Sequence, residues 1–62
     1  MAAPIDSIEG ARMALQEARY DVIADHGEAA TDAAHNDIVR VIAERCTPEV
    51  AGELLRQEGV GG

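Results

Sequence analysis

The sequence predicts an all-α domain of three helices, at about 7–26, 28–46 and 48–58, that associates with further copies of itself. Three observations carry this. Apolar residues recur at helical spacing in three segments: Ile8, Ala11, Leu15, Ala18 and Val22; then Ala34, Ile38, Val41 and Ile42; then Val50, Ala51, Leu54 and Leu55. Helix punctuation separates them, as Gly27 and as Thr47-Pro48-Glu49. Finally, the 62-residue chain has one Tyr, no Phe, no Trp and one Cys, so its core is built from small aliphatic side chains and no intramolecular disulfide can tie it. Chains of this size bury only about 60% of their unfolded surface. Oligomerisation is a common remedy.

Residues 1–5 read as a short arm ended by Pro4. Asp6 is the expected N-cap of the first helix, with Glu9 three residues on as its capping-box partner and Ser7 filling the first turn. Gly10 either weakens that turn or permits a close approach there. Gly27 supplies the C-terminal position, with His26 near the negative end of the dipole. The first helix carries two apolar stripes. Besides the seam from Ile8 to Val22, Met13, Tyr20 and Ile23, with Ala24, lie on roughly the opposite side. Two stripes imply two partners, the rest of the domain and something outside it, so Met13, Tyr20, Ile23 and Ala24 form the candidate interaction surface.

Glu28 to His35 is helix-compatible throughout, so one helix is expected to run on to about Cys46 and bury Ala34, Ile38, Val41 and Ile42 on one face, with Val39 and Cys46 beside it. Thr47 is expected to cap the third helix with its hydroxyl, Pro48 to take the first helical position, and Glu49 to sit near the positive dipole end. At the other end, Gly59 with Val60 folding back on Leu55 has the spacing of a Schellman motif, leaving 59–62 as a tail.

With 12 acidic against 5 basic residues the net charge is -7, and every basic residue is arginine. Such a surface repels phosphate backbones and anionic lipid, so neither nucleic acid nor a membrane is an expected partner. No apolar run approaches the length that spans a bilayer and no signal-peptide pattern opens the chain, which predicts a cytoplasmic protein. The lysine-free, alanine-rich composition is that of a GC-rich genome, an actinobacterium or one of its phages being the natural source.

Chemistry-bearing constellations are sparse. Asp32 and His35 lie one turn apart, with Glu17, Asp21 and Asp25 on the first helix, a carboxylate-and-histidine pattern that helical metal sites use. His26, His35 and Cys46 lack the paired spacing of a zinc site. Cys46, at a helix C-terminus, meets the dipole end that disfavours a thiolate and is expected to be a small core residue. Glu9, Glu17, Asp21, Asp25, Glu28 and Asp32 form an acidic row of the kind a nucleic-acid mimic would offer a basic protein. A helix-turn-helix reading fails on Glu49, Glu53 and Glu58, which would face DNA with Arg56 alone.

Asp6-Ser7-Ile8 resembles the Asp-Ser-Leu motif of acyl carrier proteins, and the resemblance implies a phosphopantetheine carried on Ser7; it covers three residues and lacks that family's long preceding helix. Gly61-Gly62 is similar to the ends of ubiquitin-type modifiers and double-glycine leaders, without the β-grasp strand pattern of the one or the hydrophobic spacing of the other. The expected function is therefore non-enzymatic and without cofactor: a small acidic protein-interaction module, a regulator or accessory subunit, whose partners are itself and a larger protein. Metal binding at Asp32 and His35, carriage of a group on Ser7, and nucleic-acid mimicry are the alternatives.

Overall fold

The computed structural model describes residues 3–61. Four helices follow one another, α1 (Ile8–His26), α2 (Glu28–Ala33), α3 (His35–Glu44) and α4 (Pro48–Gln57). The all-α architecture is as predicted, but the long second helix is divided in two at Ala34.

Ser7, not Asp6, caps α1. Its backbone is extended (φ -137°, ψ 147°), its hydroxyl accepts the Gly10 N–H at 3.1 Å, and its carbonyl accepts that of Ala11 at 3.0 Å. Moving the cap by one residue places Gly10 three positions on, so no capping box forms and Glu9 contributes only its charge in the first turn. Gly10 is there for proximity: a Cβ would stand 3.0 Å from the Ser7 hydroxyl and 3.3 Å from Ile5 Cγ2. Gly52, inside α4, differs in that a Cβ there meets nothing within 4 Å. Gly52→Ala should accordingly stabilise the fold by about 0.5–1 kcal/mol through helix propensity and a less flexible unfolded chain. Gly10→Ala should show no such gain, and paired thermal melts check both.

The arm is part of the fold. The Ile5 N–H donates to the Arg45 carbonyl at 2.8 Å, and the Thr47 N–H donates to the Ile5 carbonyl at 2.9 Å. This one-residue parallel bridge opposite Cys46 holds the α3–α4 connection. Ile5 also packs against the core. Thr47 serves through its backbone: its carbonyl accepts the Ala51 N–H at 2.8 Å, while its side chain makes no capping bond. The hydroxyl cap expected at Thr47 is absent, Pro48 having removed one of the amide donors that need satisfying.

The break at Ala34 (φ -98°, ψ 10°) needs no glycine or proline. Ala34 N–H still donates to Ala30 and its carbonyl still accepts from Ile38, both at 2.9 Å, so the chain changes direction with its backbone groups satisfied. A straight helix from Glu28 to Cys46 would run about 28 Å in one direction. The bend lets α2 lie on the end of α1 with Thr31 buried, while α3 turns Ile38, Val39, Ile42 and Ala43 inward. Among the described residues Thr31 is the buried polar one, and its hydroxyl donates to the Glu28 carbonyl at 2.6 Å.

Ala11, Leu15, Ile38, Val39, Ile42, Ala43, Leu54 and Val60 make the core. Two placements correct the sequence reading. Val41, expected in the buried face, is 57% exposed, and Val39, expected beside it, is completely buried. Val60, assigned to the tail, is a core residue. The Schellman bonds that bring it there are Val60 N–H to the Leu55 carbonyl (2.9 Å) and Gly59 N–H to the Arg56 carbonyl (3.2 Å), with Gly59 at φ 69°. The remainder of the arm and tail assignments, at residues 1, 2 and 62, lies outside the described residues.

Candidate interaction surface

The surface is built on α1, the longest helix. Its seam from Ile8 to Val22 packs inward, which leaves the opposite side to solvent. There Met13 is 66% and Tyr20 61% exposed. Gln16, one turn from each, donates from Nε2 to the Tyr20 hydroxyl at 3.0 Å and so holds the ring along the helix. Met13 edges a shallow depression with Arg12, Leu15, Gln16, Arg19 and Glu58. Tyr20 and Ile23 edge the next, between α1 and α2, with Gln16, Arg19, Glu28, Thr31 and Asp32. Gln16 and Arg19 line both, so one flank of α1 presents a single run from Met13 to Ile23. Ile23 is half-buried at the α2 junction, and Ala24 is exposed beyond the run.

Other singled-out residues fall elsewhere. Asp32 and His35 line one open groove with Asn36, Asp37 and Arg40, but among the described residues no group of three or more His, Cys, Asp or Glu side chains is placed to hold a metal ion. The His35 Nε2 lies 3.2 Å from the Glu58 carbonyl. A carbonyl only accepts, so that nitrogen carries the proton and the bond ties the start of α3 to the end of α4. Ser7 is occupied as a cap. The Cys46 thiol, half-buried, donates to the Ile42 carbonyl at 3.2 Å; burial pushes its pKa up, against a smaller opposing pull from Arg45. Such a thiol is a poor nucleophile. Glu53 accepts bonds from Arg56 and Gln57, which hold its carboxyl below the usual range.

Val41 is the exposed apolar residue that sequence reasoning missed. It lines a groove between α1 and α3 with Ala18, Val22, Ile38 and Asp37. Among the described residues no helix is long and apolar enough to cross a membrane.

Fold and surface together define a small all-α domain whose longest helix turns an apolar flank to solvent. Comparison with known proteins finds no match, whether among family models, curated proteins or solved structures.

Proposed function

We propose that this chain is a non-enzymatic protein-interaction module, a small regulator or accessory subunit that self-associates through the outer flank of α1 and presents its acidic remainder to a larger protein. The observation that carries this reading is the exposure of Met13 and Tyr20, seven residues apart on one side of a 19-residue helix. Exposed apolar surface of this kind marks interaction sites, and tyrosine and methionine are enriched in interface cores. Size supports the reading as well, because a core with no aromatic residue gains from burial between copies. The single cysteine, left free, suits a reducing cytoplasmic setting.

Light scattering over a concentration series is the test. The wild-type chain should give a dimer or larger assembly that dissociates on dilution. Tyr20→Glu, which places a charge in the middle of the run, should weaken association at least about tenfold while the far-ultraviolet circular dichroism of the helices is retained. A Tyr20→Glu protein with unchanged assembly mass, or a wild-type chain that is monomeric at every concentration, would refute self-association by this flank.

A further inference from the structure

We propose that the groove between α1 and α3 is a docking site for a cationic amphipathic helix of another protein. The groove has a volume of about 250 Å³ and is lined by Ala18 and Val22 of α1 and by Asp37, Ile38 and Val41 of α3. It is a different surface from the Met13–Tyr20 flank, sharing no residue with it, so it stands whether or not the chain self-associates. Val41 is the reason to expect an occupant: it is a branched aliphatic side chain 57% exposed in a groove whose other lining residues, Asp37 apart, are apolar as well. A furrow between two packed helices takes a third helix by ridge-into-groove packing, the mode in which an apolar stripe at i, i+3, i+4 and i+7 meets an apolar groove.

Charge chooses the occupant. Asp37 lies in the groove itself. On α1, Asp21 and Asp25 follow Ala18 and Val22 by three residues each, which sets them one turn along on the same side of the helix, and both are exposed. Glu44 follows Val41 by three on α3 and is exposed as well. Among the described residues the ion pairs are Arg56–Glu53 and a long His35–Glu58 contact, and none of these four carboxylates is part of one. Arg40, which lines the next groove with Asp37, and Arg45, which lines another with Glu44, are not part of this one. The groove's own lining therefore carries one carboxylate and no cation, with Asp21 and Asp25 one turn along α1 adding to the negative charge beside it. Lysines and arginines flanking the apolar stripe of an incoming helix would meet Asp21, Asp25 and Asp37, and the net charge of -7 would steer them there. A second copy of this chain is the poorer occupant, because a two-fold contact through the groove would set the same carboxylates against each other.

The probe is a synthetic helical peptide of about five turns, with leucine at i, i+3, i+4 and i+7 and lysine elsewhere, titrated into the isotope-labelled full chain and followed by amide chemical shifts. Saturable binding should perturb Ala18, Val22, Asp37, Ile38 and Val41. Val41→Lys, at an exposed position that leaves the helices intact, should weaken it by at least about tenfold. The pair Asp21→Asn and Asp37→Asn should weaken it about threefold or more at low salt and less at high salt. The same peptide with glutamate in place of lysine should not bind. Four results would overturn the proposal: no saturable binding up to about 1 mM, a free energy too weak for a specific site; perturbation centred on Met13 and Tyr20; equal binding of the glutamate peptide; or indifference to Val41→Lys. Closure of the groove by a second copy, seen as concentration-dependent shifts at Val41 without peptide, would also overturn it.

Discussion

Ile42→Ala should remove about 2–5 kcal/mol of stability, whereas Val41→Ala, one residue away, should change it by no more than about 0.5 kcal/mol. Ile42 is 2% exposed in the middle of the core, and alanine there would leave a cavity lined by side chains that cannot all relax into it. A chain of 62 residues at typical density of stability has about 3–9 kcal/mol in all, so the loss takes a large share of it. Urea titration should find the midpoint of Ile42→Ala far below that of the wild type, and Val41→Ala superimposable on the wild type. Comparable losses in the two variants would mean that α3 is rotated from the orientation described.

Ile5→Pro should cost about 3 kcal/mol or more, although the residue lies before the first helix. Its N–H is 2.8 Å from the Arg45 carbonyl, so a proline ring would put Cδ where the hydrogen lies, losing the bond and pushing the arm away. The half-buried side chain over the core goes with it. With the arm displaced, the Thr47 N–H also loses the Ile5 carbonyl, and the α3–α4 connection loses both of its ties. A urea midpoint well below that of the wild type would agree with this. A midpoint near the wild type would show that the arm is dispensable.

These two variants mark the limits of what the residues disclosed. The seam of α1, the Pro48 start of α4 and the Schellman end at Gly59 and Val60 were legible because each rests on interactions within about one turn of chain. The cap of α1 was misplaced by one residue: Asp6 was expected, and Ser7 holds the position with its hydroxyl on the Gly10 N–H. On α3, Ile38, Val39, Val41 and Ile42 span an arc of about 160° at 100° per residue, wider than its neighbours cover. One edge had to stay in solvent. Nothing local decides between Val39 and Val41, since both are valines at the margins of the stripe.

The candidate surface divides in the same way. Met13 and Tyr20 were recognisable as an outward stripe because they lie opposite a seam on the same helix, a relation that helical phase alone supplies. The groove at Val41 was not recognisable, because it needs the relative placement of α1 and α3. That placement depends on the bend at Ala34, in a stretch of strong helix formers without glycine or proline.

The sequence by itself determined that this protein is helical, acidic and small, where most of its helices begin and end, and that α1 has an apolar residue set on its outer side, since periodicity, caps and charge act within a few residues. Tertiary structure alone decided that the second helical segment bends, that Ile5 packs against the core and Val60 enters it, and that Val41 instead of Val39 faces solvent. Those outcomes follow from which surfaces must be buried together, and burial is a property of the packed chain, with every element competing for the same core.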